Sequence, residues 1–211
     1  MISDRSNVIQ PGKDIYDQIK GNWSSLYFKN SNPIVVELAC GKGEYSVALA
    51  SRFPDKNFIG VDIKGDRLWK GSTLAVEQEL QNVVFIRANI MLLENFFKPL
   101  EVAEIWIPFP DPRPKKRDVK RRLTSQRFLD IYKKIIKPHG YLRLKTDNDA
   151  FFDYTLDELM KRDDVVDLQF TDNVYESKLR EECFDVKTHY EDFFSRQGQL
   201  IKYLRFRFKH L

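Results

Sequence analysis

Residues 105–123, IWIPFPDPRPKKRDVKRRL, join an apolar run to a proline-rich loop and then to a basic cluster. Within the loop, prolines alternate with Phe109, Asp111 and Arg113. Because proline has no amide donor and a fixed φ, we expect a strand to end here in a stiff, extended segment, the proline loop (residues 108–114). This loop holds one carboxylate, that of Asp111, in a rigid setting.

Positive charge is concentrated in the basic cluster (residues 113–122). These residues hold seven Lys or Arg and one Asp, a local charge of +6, whereas the whole chain carries only +4. The rest of the chain therefore sums to −2, and the basic character is a local patch. A rigid carboxylate beside a cationic patch is typical of a reactive site next to a polyanion such as nucleic acid. A solvated loop and a localisation signal are the alternative interpretations.

Length and composition limit the classes of protein to which this chain can belong. The 211 residues predict an N-terminal arm over residues 1–30, with residues 1–13 loosely ordered, and a single domain over residues 31–211. No apolar run approaches the ~20 residues of a membrane span, and the first residues lack a secretory signal core. Two distant cysteines, Cys40 and Cys183, and three scattered histidines indicate neither a disulfide framework nor a metal site. We expect a cytoplasmic protein.

A short apolar strand near Ile34–Leu38 leads into two glycines and a helix. Gly41 and Gly43 allow the backbone to turn tightly and to approach a ligand closely. The next strand ends in Asp62, 19 residues after Gly43, where an acid suits hydrogen bonds to a ribose diol. A third strand ends in Asn89.

The remaining pattern completes an α/β fold. A fourth strand over residues 104–107 leads to Asp111, and a fifth over residues 141–148 ends near Asp147. Because ligands bind at the carboxyl ends of parallel strands, we expect these polar side chains to share one edge of the sheet. We predict seven strands, mostly parallel with an antiparallel C-terminal strand, and helices on both faces. The other predicted elements are helices at 14–20, 45–53, 68–80, 124–136 (capped by Thr124, ended by Pro138-His139-Gly140) and 149–160, and strands at 82–89, 165–175 and 200–208.

With these motifs the chain resembles the tRNA (guanine-N7-)-methyltransferases, within the class I S-adenosylmethionine-dependent methyltransferases. The similarity covers roughly residues 30–208 and is carried by Glu37–Gly43, Gly60-Val61-Asp62, Pro110-Asp111-Pro112 with the basic cluster, Thr146-Asp147 and Thr188-His189-Tyr190-Glu191. The resemblance implies a Rossmann-like methyltransferase domain over residues 31–211. It also implies S-adenosylmethionine as cofactor and tRNA as partner, without a membrane or a metal, in a monomer or homodimer. The implied reaction methylates N7 of the variable-loop guanine at position 46 of tRNA, giving 7-methylguanosine.

The resemblance also implies a role for each motif residue. Asp111 would be the catalytic carboxylate. Cofactor binding would fall to Glu37, Gly41, Gly43, Asp62, Asn89 and Asp111. Substrate binding would fall to Lys115, Asp147, Thr188 and Glu191, and RNA binding to Arg117, Lys120, Arg121 and Arg122. The chain departs from the family at two positions, with Asn89 in place of the usual acid and Arg113 in place of a common aromatic residue.

The chemistry of the implied reaction needs little from the protein beyond positioning. Guanine N7 carries a free lone pair, so no base is needed to uncover the nucleophile. The protein must align the reacting atoms and stabilise the positive charge that methylation leaves on the purine. Asp111, Asp147 and Glu191 are each able to supply that negative charge, and the sequence does not rank them.

Several alternatives stay open at the level of sequence. A nicotinamide-dependent oxidoreductase would also use a Gly-x-Gly turn and Asp62, although Ser46 occupies the third glycine position of that fingerprint. A non-catalytic RNA-binding module with this fold is favoured only by Asn89. A methyltransferase acting on another polyanion is a further alternative. Asp147-Asn148 and Thr188–Glu191 also fit ordinary helix caps.

Overall fold

The computed structural model describes residues 5–210 as one eight-stranded sheet with flanking helices. The strands are β1 Val8–Ile9, β2 Ile34–Leu38, β3 Asn57–Asp62, β4 Val83–Arg87, β5 Val102–Pro108, β6 Ile136–Thr146, β7 Val165–Thr171 and β8 Lys202–Phe208. The α-helices are α1 Asp14–Gln18, α2 Glu44–Arg52, α3 Gly65–Glu77, α4 Gln126–Ile135, α5 Asp149–Met160 and α6 His189–Arg196. A π-helical segment spans Trp23–Phe28, and 3₁₀ segments span Ile90–Asn95, Lys116–Arg121, Val174–Glu176 and Lys178–Cys183.

The sheet confirms the predicted fold class and adds one strand to it. The strand order is β1-β4-β3-β2-β5-β6-β8-β7, and β8 alone runs in the direction opposite to the other seven strands. The extra strand, β1, pairs in parallel with β4, and both of its residues are buried. The prediction of loose order over residues 1–13 is therefore wrong for Val8 and Ile9, because this apolar pair completes the edge of the sheet. Residues 1–4 lie outside the described residues.

Apolar side chains on both faces of the sheet form the core. One cluster joins the sheet to the N-terminal arm, α4 and α5, and the other joins it to α2, α3 and residues 174–194. Alternation along β8 predicts this two-sided burial: Phe206 lies in the first cluster and Tyr203 in the second. The arm is fixed by Trp23, which stacks on Phe97 and donates its indole N–H to the Phe96 carbonyl at 2.9 Å.

Two predicted boundaries of the α4 region are wrong. Ser125, rather than Thr124, is the N-cap residue of α4, because the Thr124 hydroxyl is buried against the Thr155 hydroxyl of α5 at 2.8 Å. The helix ends at Ile135, and Pro138-His139-Gly140 lie inside β6. The helix ends early because Ile136 already pairs with Val102 of β5.

The connectivity places a crevice above the middle of the sheet. From β2 the chain moves outward through β3 and β4, then returns to β5 on the other side of β2. Ligands bind at such a switch point, outside the carboxyl ends of the strands. Among residues 5–210, no helix is long and apolar enough to cross a membrane. The same residues contain no group of three or more His, Cys, Asp or Glu side chains arranged to hold a metal ion.

Candidate active site

A cleft of about 790 Å³ opens at the carboxyl ends of the central strands. It brings together a large part of the predicted site, namely Glu37, Gly41, Asp62, Asn89, Asp111, Arg121, Asp147 and Thr188. The predicted residues that do not line it are Gly43, Lys115, Arg117, Lys120, Arg122 and Glu191. The expected convergence at one edge of the sheet therefore holds for the strand-end residues.

Glu37 lies on β2, buried at the floor of the cleft. One of its carboxylate oxygens accepts the backbone N–H of Ser46 at 2.8 Å and also the Ser46 hydroxyl. Burial raises the pKa of Glu37 to about 8, and the nearby Asp62 and Glu44 carboxylates add to the rise. A cationic group placed beside this carboxyl would favour its ionised form. Sequence reasoning noted Ser46 only as a missing glycine and did not predict this contact.

The two glycines of the turn after β2 are required for different structural reasons. Gly41 has φ +56°, lines the cleft, and a Cβ there would meet nothing within 4 Å, so its backbone faces open space. Gly43 has φ +67°, but a Cβ there would lie 2.3 Å from the ring of Phe85. Close packing of the turn on β4 thus explains Gly43. Its predicted contact with a cofactor stays a prediction, without support from its position.

Main-chain amides orient the acidic and amide side chains that follow β3 and β4. Asp62 accepts the N–H of Gly41 with one oxygen and that of Lys64 with the other, both at 2.9 Å. Asn89 accepts the N–H of Met91 at 3.0 Å and so caps the short segment after β4. A carboxylate would accept this bond equally well, and the amide of Asn89 does so without adding a negative charge to the cleft.

The proline loop presents Asp111 at the opposite wall. Its carboxylate is 61% exposed and forms an ion pair with Arg113 Nε at 3.1 Å, while the Arg113 backbone N–H donates to its other oxygen at 3.1 Å. Phe109 and Arg113 both have positive φ, 49° and 48°, so the backbone is strained on either side of Asp111. The Phe109 N–H donates to the Lys145 carbonyl at 2.8 Å and ties the start of the loop to β6.

Most side chains of the basic cluster point away from the protein. The exposed cationic residues within it are Lys115, Lys116, Arg117, Lys120 and Arg121. Arg121 lines the cleft and pairs with Asp118 at 3.2 Å. Arg122 differs, because it is half-buried, its guanidinium donates to the Arg113 carbonyl, and it lies over the Tyr154 ring.

The starts of α5 and α6 form a third wall of the cleft, and both predicted helix caps are confirmed there. Asn148 caps α5 by accepting the Phe151 N–H at 2.9 Å, and Thr188 caps α6 by accepting the Glu191 N–H at 3.1 Å. Thr188 nevertheless lines the cleft, as does Asp147. Burial raises the pKa of Asp147 above its ordinary value.

Glu191 lies behind this wall and not on its surface. It is fully buried, pairs with Lys145 Nζ at 2.6 Å and accepts the Tyr175 hydroxyl. Its substrate contact therefore stays a prediction, and the structure offers a supporting role that holds α6 against β6. Sequence reasoning missed Lys145 and Tyr175, although a lysine inside an apolar strand was an available signal for a buried ion pair.

Two aromatic side chains of α6 also line the cleft. Tyr190 belongs to the Thr188–Glu191 motif, whereas Phe194 was not predicted as a site residue. Tyr190 is 52% exposed and stacks on Phe194, with ring centroids 6.5 Å apart. The start of α6 is fixed to α2, since the His189 N–H donates to the Glu44 carboxylate at 3.0 Å. Exposed aromatic faces beside cationic side chains suit the stacking of nucleic-acid bases.

Comparisons with known proteins agree with this geometry. A family model described as "Putative methyltransferase" matches residues 31–204. The tRNA (guanine-N(7)-)-methyltransferase of Cytophaga hutchinsonii is 46% identical over 203 residues, covering 96% of this chain and 91% of that protein. The one from Christiangramia forsetii is 45% identical over 208 residues, covering 96% and 92%. A solved structure described as an antibiotic-related methyltransferase, 18% identical with a TM-score of 0.60 over 85% of this chain and 88% of that one, shares the fold. The chain belongs to the tRNA (guanine-N(7)-)-methyltransferase family.

Proposed function

We propose that this chain transfers a methyl group from S-adenosylmethionine to N7 of a guanine in tRNA, giving 7-methylguanosine. The observation that carries the proposal is that one cleft joins the glycine turn after β2 to Asp111 of the proline loop, with the basic cluster at its rim. Membership in the family supports the same reaction. The alternative function, a nicotinamide-dependent oxidoreductase, does not account for the basic cluster.

The residues of the cleft fit S-adenosylmethionine by their chemistry. Gly41 leaves open a space that a Cβ would occupy, so a ligand is able to approach the backbone closely. Glu37 would bind the ammonium group, Asp62 the ribose hydroxyls and Asn89 the adenine amine. When bound, S-adenosylmethionine supplies a methyl group on a cationic sulfonium, which is the electrophile of the reaction.

The residues of the proline loop and of α6 would hold guanine for attack. Asp111 supplies a negative charge near the purine, which stabilises the positive charge that develops when N7 is methylated. To do so it must exchange its ion pair with Arg113 for the guanine. Asp147 and Thr188 lie in the same cleft and would contact the base edge, with Lys115 beside the substrate and Glu191 behind it.

The exposed cations of the basic cluster would bind the tRNA backbone. They lie beside the cleft on and before the Lys116–Arg121 segment, and phosphate contacts of this kind set the position of the RNA without reading its sequence. We assign the methylated base to position 46 in the variable loop. We further propose a cytoplasmic monomer or homodimer, in which residues 1–30 form an arm and residues 31–211 the catalytic domain.

Methyl transfer from labelled S-adenosylmethionine to unmodified tRNA tests the proposal. Digestion to nucleosides and mass spectrometry should reveal 7-methylguanosine, and a transcript lacking the guanine at position 46 is the matched control. A product methylated at another atom, or no product while S-adenosylhomocysteine still binds, would contradict the assignment of the substrate.

A further inference from the structure

The proline loop has little support from its own backbone. After the Phe109 N–H bond to β6, the next main-chain hydrogen bond joins Asp118 to Lys115. Within the described part of the chain, no main-chain to main-chain hydrogen bond involves residues 110–114. Prolines at 110, 112 and 114 have no N–H to donate. The position of the loop therefore depends on side chains.

Arg122 supplies a side-chain contact at the far end of this loop. Its Nε and Nη2 atoms both donate to the Arg113 carbonyl, at 3.3 Å each. The guanidinium also lies over the Tyr154 ring of α5, with its central carbon 4.3 Å from the ring centroid. Arg122 thus sits between the loop and a helix that belongs to the core.

The setting of Arg122 differs from that of its neighbours in the basic cluster. Lys120 and Arg117 are exposed, whereas Arg122 is half-buried and two of its five N–H donors are already used within the protein. A planar fork that donates twice to one carbonyl while stacking on a ring is a geometry that lysine does not reproduce. The requirement here is for arginine itself and not for positive charge alone.

We propose that Arg122 is a positioning residue, which holds the proline loop against Tyr154 and so fixes Asp111, and that it does not bind RNA phosphate. The inference rests on the proposed function for the meaning of Asp111, but the contact itself does not depend on it. Because misplacing a reactive group by about 1 Å can cost ~10²-fold in rate, loosening the loop should lower turnover and leave tRNA affinity in place.

Arg122→Lys tests the idea, because it keeps the charge and removes the fork. We expect kcat to fall about tenfold or more, while KM for tRNA and the salt dependence of tRNA binding stay at wild-type values. Lys120→Gln is the contrasting variant, for which tRNA binding should weaken and its slope against log salt should shrink by about 0.7. If Arg122→Lys reproduced that binding pattern with wild-type kcat, Arg122 would be a phosphate contact and the proposal would fail.

Substitutions of Tyr154 provide a second, independent test of the proposal. Tyr154→Phe keeps the ring and should behave as wild type, whereas Tyr154→Leu should lower kcat as Arg122→Lys does. Because both changes break one contact, the double variant should be no slower than the slower single variant. Rate losses that multiply would overturn the proposal. Thermal unfolding of each variant, expected near the wild-type midpoint, separates this effect from general loss of fold.

Limited trypsin digestion gives a readout that needs no methyl transfer. Cleavage between Lys115 and Arg121 should be faster in Arg122→Lys and Tyr154→Leu than in wild type or Tyr154→Phe. Equal cleavage rates in all four proteins would refute the proposed contact. If wild-type protein made no 7-methylguanosine but the cleavage pattern held, the proposed function would fail and the positioning role of Arg122 would stand.

Discussion

At the proposed cofactor end of the cleft (Glu37, Gly41, Asp62 and Asn89), amides from several turns and helix starts orient the polar side chains. At the proposed guanine end, Asp111 is exposed and is held by one residue, Arg113, through its guanidinium and its main-chain N–H. The first arrangement is set by folding, because its donors belong to helix starts and turns. The second rests on contacts within the proline loop, between Asp111 and Arg113. The difference indicates that the folded backbone fixes the strand-end side chains, whereas the position of Asp111 depends on contacts of one exposed loop.

The largest expected effect concerns the buried ion pair between Lys145 and Glu191, which lies behind the wall of the cleft at the guanine end. Lys145→Met would leave Glu191 buried without its cation, and breaking such a pair costs about 3–5 kcal/mol. Urea unfolding should show this loss in the free energy of unfolding. The matched control, Lys145→Met with Glu191→Gln, should recover part of it because no unpaired charge remains. Unchanged stability in the single variant would show that the pair does not support α6.

Asp111→Asn tests the exposed carboxylate at the guanine end. Turnover should fall by ~10²-fold or more, the scale of one preorganised electrostatic group. Binding of S-adenosylhomocysteine, followed by calorimetry, should persist, because the substitution keeps the size of the side chain and leaves Glu37, Asp62 and Asn89 unchanged. Wild-type turnover in this variant would assign the negative charge to Asp147 or Glu191 instead.

The salt dependence of tRNA binding tests how much of the affinity for tRNA is electrostatic. If the basic cluster neutralises about five phosphates with a slope near −0.7 each, a fourfold rise in salt should weaken tRNA binding roughly a hundredfold. S-adenosylhomocysteine binding over the same range serves as the comparison and should change far less, because its contacts are partly buried. Salt-independent tRNA affinity would reject a phosphate-binding role for the cluster.

The smallest effect concerns the protonation of Glu37 at the cofactor end. Since its folded-state pKa of about 8 lies above the ordinary 4.5, its stabilising contribution is present below pH 4.5 and is lost as pH rises towards 8. An ammonium group favours the carboxylate, so binding of S-adenosylhomocysteine at pH 7 should release protons. Calorimetry in buffers of different ionisation enthalpy measures this release, which should vanish at pH 9 and in Glu37→Gln.

Local pattern accounts for a large part of the fold. Strand β3 ends at Asp62 as predicted, and helix α5 has the predicted bounds, because apolar periodicity and nearby polar or cap residues mark these ends. The strand-end residues Asp62, Asn89 and Asp111 meet in one cleft as expected, since parallel strands end at the same edge of a sheet.

By itself, the sequence determined the order of the strands and helices apart from β1 and α6, the local basic cluster and the residues that follow each predicted strand, since all of these depend on neighbours in the chain. Only the tertiary structure decided how those side chains are used. Glu191 forms an ion pair with Lys145, which lies 46 residues earlier in the sequence. The Thr124 hydroxyl forms a hydrogen bond with the Thr155 hydroxyl instead of capping its own helix. Such pairings depend on which buried groups must satisfy one another once the elements pack, and no local pattern encodes that.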